Sequence, residues 1–188
     1  RKKDGTIYPL YQRISAVRDS LGRISHYVAS FSDISLRKQT EEHIQRLSYH
    51  DSLTGAANRR LMVMQIQKAL KNKTDSLNAL LFVDLDHFKL LNDALGYDIG
   101  DELLRQVALR IEEVIQPGDT LGRLAGDDFV VLLQQLGEEQ SEAVRTAQET
   151  ALKIQQALSA GFELSGHPYQ TTASVGISLF VRGDYQAE

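Results

Sequence analysis

The run Leu77-Asn78-Ala79-Leu80-Leu81-Phe82-Val83-Asp84-Leu85-Asp86-His87-Phe88-Lys89 decides how the chain is read. Leu77 to Val83 has the composition of a buried strand, and it runs straight into two carboxylates. A strand interior is dry, so Asp84 belongs where the sheet meets solvent. Two carboxylates two residues apart repel each other unless a cation lies nearby. Hard oxygen ligands of this kind suit Mg²⁺, which keeps several waters and binds through one or two carboxylates plus substrate phosphates. Lys89, on the next turn, is placed to meet a phosphate as a point charge. Acids at this position also cap strands and start helices, so the stretch alone admits both readings.

Downstream of it, Ile99, Leu103, Val107, Ile111 and Val114 mark one face of a helix that Pro117-Gly118-Asp119 ends. Thr120 to Leu124 and Phe129 to Leu133 read as two short strands joined through Ala125-Gly126, a hairpin. Val144, Ala147, Ala151, Ile154 and Leu158 mark a second helix, and Tyr169 to Val181 reads as a long final strand. The order β-α-β-β-α-β is the ferredoxin-like split arrangement of an α+β fold. In that arrangement the first strand and the second hairpin strand lie side by side. Asp84 and Asp127 can then converge on one metal site, and two acidic pairs, each at a strand end of the same sheet, are less easily explained as caps. Asn92 and Asp101 carry an amide and a carboxylate suited to a guanine edge; a polar turn followed by an N-cap accounts for them equally well.

Upstream, residues 1 to 34 read as β structure, with turn signals at Asp4-Gly5 and at Asp19-Ser20-Leu21-Gly22. Two strands do not make a stable domain alone, so their partners are expected outside this sequence, which opens mid-pattern. Ser35 to Ser48 is a charged helix, and Arg37, Thr40, Ile44 and Leu47 form a short 3-4-3 seam suited to pairing with a parallel helix; a solvated linker helix is the plainer reading. The 188 residues hold no cysteine and carry a net charge of −4. A nucleic-acid partner is disfavoured by that charge, and thiolate metal sites and cysteine nucleophiles are excluded. The longest unbroken apolar run, Ala79 to Val83, is far short of the ~20 residues of a membrane span, and no signal peptide is visible.

With these residues in hand, the sequence resembles the GGDEF family of diguanylate cyclases from Leu47 to Phe180. The resemblance rests on Asp51-Ser52-Leu53-Thr54-Gly55-Ala56-Ala57-Asn58-Arg59-Arg60, on the F-x-D-x-D-x-F-K segment at Phe82 to Lys89, on Asn92 to Asp101, and on Thr172 to Ser178. It implies a palm-like nucleotidyl cyclase domain over 51–188, stopping short of the family's last helix. Residues 1–34 resemble the closing strands of a PAS domain, through Lys3-Asp4-Gly5, Gly22-Arg23-Ile24 and Asp33-Ile34-Ser35, and 35–50 resemble the linking signalling helix.

The resemblance implies that two GTP molecules condense to cyclic di-GMP across a homodimer in the cytoplasm. It implies Mg²⁺ (or Mn²⁺) on Asp84, Asp127 and the Leu85 carbonyl, with Asp128 as a further active-site carboxylate. Lys89 and the backbone near Phe88 would hold phosphates, Asn92 and Asp101 would read guanine, and Gly126 would also contact substrate. A downstream EAL phosphodiesterase in the same chain is the further partner it suggests, with no membrane contact from this segment.

Four departures bear on function. The signature reads Ala125-Gly126-Asp127-Asp128-Phe129, so Asp128 is one methylene shorter than the family's glutamate. Ala56 replaces a leucine. The product-inhibition motif appears as Gln116-Pro117-Gly118-Asp119 without its arginine, leaving Arg123 as the nearest substitute, and the last helix is missing. These departures favour an alternative, a degenerate GTP-binding module that regulates an attached EAL domain. A haloacid-dehalogenase-type phosphatase shares the D-x-D motif but needs parallel strands.

Overall fold

The computed structural model describes residues 5, 7–72 and 75–181, and the side chains of 41–43, 45 and 46 are outside that description. Asp4 of the expected Asp4-Gly5 turn, and Lys3 beside it, also lie outside. The chain divides into two compact units, residues 1–48 and 49–188.

The first unit holds a hairpin and most of a helix. Strands β1 (Leu10–Arg18) and β2 (Ile24–Asp33) pair antiparallel from Leu10↔Asp33 to Arg18↔Ile24. The Asp19 carboxylate closes their turn by accepting from the amides of Leu21 and Arg23, both at 2.9 Å. Helix α1 (Ser35–Tyr49) follows a turn in which Asp33 accepts from the Ser35 amide and hydroxyl. Its apolar residues Leu36, Ile44 and Leu47 are exposed.

In the second unit, α2 (Arg59–Lys71) starts at Asn58, whose side chain accepts from the Leu61 amide at 3.1 Å. Then come β3 (Asn78–Leu85), α3 (Phe88–Leu95), α4 (Tyr97–Val114), β4 (Thr120–Ala125) and β5 (Asp128–Leu133). Helix α5 (Gln140–Ser159), the small hairpin β6 (Phe162–Leu164) and β7 (His167–Tyr169), and β8 (Ala173–Phe180) complete it. The sheet order is β4-β5-β3-β8, every neighbour antiparallel. This is the expected α+β split arrangement, with β3 and β5 side by side.

One face of the sheet carries the main core. Leu81, Val83, Leu85, Phe129, Val131 and Leu133 meet Leu103, Val107 and Ile111 of α4 and Ala147, Ile154 and Leu158 of α5. Alanines at 143, 147 and 151 give α5 a thin face. The opposite face is covered only in part: Met62 of α2 packs on Ala57, Val130 and Leu132.

Several expectations are refined. The Leu77–Val83 run is not buried on both faces, because Phe82 is 49% exposed on the partly covered side. Pleating sends Phe82 and Asp84 to that side and Leu81, Val83 and Leu85 to the helices. The expected long final strand is broken: Tyr169 belongs to the β6–β7 hairpin, and β8 starts at Ala173. Helices α2 and α3 were not anticipated as elements.

Helix α2 approaches the sheet closely at Gly122. A Cβ there would lie 2.3 Å from Met62 Cγ and 3.1 Å from the Ala57 carbonyl oxygen. Gly122→Ala is therefore expected to destabilise the domain by about 1–3 kcal/mol, as overpacking does. Urea unfolding checks this, and an unchanged midpoint would show that α2 has room to move.

Candidate active site

The register of β3 against β5 builds the site. Val83 pairs with Phe129 at the end of the ladder, so the next residues outward, Asp84 and Asp128, are neighbours across it. The β4–β5 turn supplies Gly126, at φ 52, followed by Asp127. Gly126 fits that left-handed position because it has no Cβ. Asp84 and Asp128 are exposed and Asp127 is half-buried. The Asp84 carboxyl is held above its ordinary pKa, first by lost hydration and then by the charges of Asp127, Asp128 and Asp86. Among the described residues no three His, Asp or Glu side chains close into a metal cage. The acids sense one another without forming an all-protein cage.

Asp86 has a different environment from Asp84. Its carboxylate accepts from the Thr172 hydroxyl and, at 2.9 Å, from the Ser174 hydroxyl. These bonds, with a smaller contribution from the His87 charge, hold it below its usual pKa against the effect of burial. Its backbone is also engaged: the Asp86 amide donates to the Thr172 carbonyl at 3.0 Å, and the Thr171 hydroxyl donates to the Asp86 carbonyl at 2.9 Å. His87 then takes a left-handed conformation, φ 63, and α3 begins.

Phe88 is buried as the first residue of α3, and Lys89 is exposed in the same turn, with no carboxylate partner among the described residues. Leu85 ends β3 with its side chain buried. Asn92, from the last turn of α3, reaches α4 at Gly100, where a Cβ would lie 1.9 Å from Asn92 Oδ1. Asn92 Oδ1 is buried and accepts no hydrogen bond. Such an acceptor is costly unless a ligand meets it. Asp101 follows one residue after Gly100, half-buried on α4.

The family model described as "Diguanylate cyclase, GGDEF domain" matches residues 48–188. The chain belongs to the GGDEF diguanylate cyclase domain family. It is 38% identical over 148 residues to the bifunctional diguanylate cyclase/cyclic di-GMP phosphodiesterase MucR of Pseudomonas aeruginosa, covering 78% of this chain and 21% of MucR. It is 34% identical over 148 residues to the cyclic di-GMP phosphodiesterase NbdA of the same organism, covering 77% of this chain and 18% of NbdA. Among solved structures, a sensory box/GGDEF family protein from Caulobacter crescentus aligns with a TM-score of 0.65 at 33% identity, covering 70% of this chain and 83% of that one. The chain thus spans about a fifth of the length of these curated relatives.

In this GGDEF domain Gln116 and Asp119, expected as a degenerate inhibitory motif, are hydrogen-bonded to each other, while Arg123 is engaged elsewhere. Asp119 accepts from the amides of Gln116 (3.0 Å) and Gln134 (3.2 Å), so both its oxygens close the loop before β4. Gln116 is exposed. Arg123 turns to the signature: its Nε donates to the Gly126 carbonyl at 2.8 Å and its Nη1 to Asp51 Oδ1 at 2.9 Å. Asp51 also accepts from the Thr54 amide (2.9 Å) and hydroxyl (2.7 Å).

The Asp51–Thr54 loop and the Gly126 turn are therefore joined through one guanidinium. Sequence reasoning quoted both motifs but had no signal that Arg123 links them across 72 residues. Thr172 and Ser174 were also not assigned site roles, and Asp86, read with Asp84 as a carboxylate pair suited to Mg²⁺, is instead engaged by their hydroxyls. The loop after α1 further joins the sheet edge, with the Ala57 amide donating to the Leu121 carbonyl and the Arg123 amide to the Ala57 carbonyl.

Burial alone would raise the pKa of Asp51, but its bonds from Thr54 and Arg123 outweigh that and the group sits below its ordinary value. Its stabilising contribution is thus complete above the unfolded carboxylate pKa and is lost as pH falls through the lowered folded value. Arg123→Ala is expected to cost about 1–3 kcal/mol at pH 7, as losing a charged hydrogen-bond partner does. The difference from the parent should narrow below about pH 4, where Asp51 begins to protonate in the unfolded chain. Denaturant titrations at pH 7 and pH 3 check both statements.

Proposed function

We propose that this GGDEF domain is a diguanylate cyclase that condenses two GTP molecules into cyclic di-GMP and pyrophosphate, in a Mg²⁺- or Mn²⁺-dependent homodimer regulated by a PAS sensor. One observation carries the proposal: Asp84 at the end of β3 and Asp127-Asp128 at the adjoining turn are mutually repelling carboxylates with no cation of the protein between them. That donor set fits a divalent ion, since Mg²⁺ is satisfied by one or two carboxylates and takes its other ligands from water and phosphate. Asp84 and Asp127 would hold it, with the Leu85 carbonyl. When bound, it neutralises charge at the α-phosphate and lowers the pKa of the attacking hydroxyl.

The chain's own residues supply position. Lys89 offers a positive charge with no carboxylate partner among the described residues, at the start of α3 beside the backbone of Phe88. Asn92 Oδ1, buried and without a donor, suits the guanine N–H edge, with Asp101 nearby as a second acceptor. Each GTP then presents its 3′-oxygen to the α-phosphorus of the other, and pyrophosphate leaves as the new O–P bond forms. One domain holds one nucleotide, so two domains must face each other, and the gain is chiefly that of orientation. The exposed Leu36, Ile44 and Leu47 of α1 supply an apolar surface on which two copies can pair.

A second reading has its own support. Asp128 is short, no three carboxylates form a cage among the described residues, and a relative named as a phosphodiesterase lies at 34% identity. On that reading the domain binds GTP without turning it over and regulates an attached EAL domain.

The discriminating experiment incubates full-length protein with GTP and Mg²⁺ and identifies the products. Cyclic di-GMP and pyrophosphate are expected; GTP bound but unchanged would establish the regulatory reading. Asp84→Asn and Asp127→Asn should each cut the rate ~10²–10³-fold, as removal of one preorganised electrostatic element does, while circular dichroism stays native. Near-parent rates in either variant would overturn the site.

A further inference from the structure

We propose that Asp86 is the positioning residue of the phosphate-binding turn. By holding Thr172, just before β8, and Ser174 on β8 it fixes the left-handed turn at His87, and with it the start of α3. The inference rests on the nucleotide reading above and deepens it.

The D-x-D pair invites both acids to be taken as cation ligands. The structure separates them. Asp84 has no hydrogen bond from any described side chain, whereas Asp86 accepts from two hydroxyls at the entry to β8, Thr172 Oγ1 just before the strand and Ser174 Oγ on it, the latter at 2.9 Å. Two further bonds hold the Asp86 backbone to the same segment, from its amide to the Thr172 carbonyl and from the buried Thr171 hydroxyl to its own carbonyl. The residue that follows, His87, stands at φ 63. A non-glycine residue in that region costs roughly 1–2 kcal/mol, and it persists only where the surroundings over-determine it. His87 contributes no capping bond from its own side chain. The direction of α3, and so the placing of the Phe88 backbone and Lys89, is set by the residue before it. Asp86 therefore acts through geometry, by a clamp that spans 86 to 88 residues of sequence to reach β8.

A clamp and a cation ligand answer differently to substitution. Asparagine keeps the shape of aspartate: its oxygen can accept from one hydroxyl while its NH₂ donates to the other. It loses the charge that a cation ligand needs. The full-length protein is titrated calorimetrically with 3′-deoxy-GTP and Mg²⁺, a nucleotide that lacks the attacking hydroxyl and so reports binding alone. Asp86→Ala is expected to weaken binding about tenfold, the value of one to two lost hydrogen bonds. Asp86→Asn should remain within about threefold of the parent.

The double variant Thr172→Val with Ser174→Ala should reproduce the alanine loss, and adding Asp86→Ala to it should weaken binding no further, since all three changes break one unit. Should Asp86→Ala fail to fold, the β8 double variant alone carries the comparison with Asp86→Asn. Asparagine as damaging as alanine, or an alanine or β8 variant that binds at parental strength, would overturn the clamp while the nucleotide reading stood. A parent that does not bind 3′-deoxy-GTP would remove both.

Discussion

The antiparallel pairing of β3 with β5 is the constraint on which the rest depends. Hydrophobic strands that face helices on one side must keep a fixed register, because a slip of one residue would send Leu81, Val83 and Leu85 out of the core. The same register places Asp84 next to the Asp127-Asp128 turn. Packing energy thus holds acids together that would otherwise separate. The core is the larger effect: burying each large apolar side chain contributes roughly 1.5–3 kcal/mol, whereas repulsion between exposed carboxylates is screened by water. A fold can therefore tolerate an electrostatically unfavourable corner and keep it ready for a cation.

That corner is braced from two directions. From the β4 edge, Arg123 ties the Gly126 carbonyl to Asp51, so the turn carrying Asp127 is held to the Asp51–Thr54 loop. From the β8 edge, hydroxyls of Thr172 and Ser174 hold Asp86. Both braces end on strands or loops that flank β3 and β5 in the sheet. Loops carrying functional groups are ordinarily the mobile parts of a domain; here each is bonded across dozens of residues to a strand. The Asp51 loop also lies at the start of the second unit, and it reaches the signature turn through the Arg123 guanidinium.

Much of this was legible in the sequence. Apolar periodicity located β3, α4 and α5, and the Ala125-Gly126 turn located the hairpin, so the split arrangement and the convergence of Asp84 with Asp127-Asp128 could be read from order alone. Local composition could not show which face of β3 would be left uncovered, and Phe82 was taken as interior for that reason. The break in the final strand was hidden because Tyr169 to Phe180 is uniformly rich in β-formers; only the pairing of His167–Tyr169 with Phe162–Leu164 reveals two elements. The roles of Arg123, Thr172 and Ser174 were invisible for a different reason. A hydrogen bond between residues 72 to 88 positions apart leaves no periodicity to detect.

Asp84 and Asp86 show the same limit at its sharpest. They share residue type and strand end, and they lie two positions apart. Yet one is pushed toward its protonated form and the other is held ionised. The difference comes from what faces them. Asp84, still within the ladder opposite Ser174, projects over the uncovered face toward other acids. Asp86, one residue beyond β3, still donates its amide to the Thr172 carbonyl, and its carboxylate is taken up by the hydroxyls of Thr172 and Ser174. A motif written D-x-D therefore encodes two separate jobs, a charge left available and a fastening that is already used. The second makes the first dependable: an exposed acid keeps its place at the sheet end only if the turn beside it does not drift.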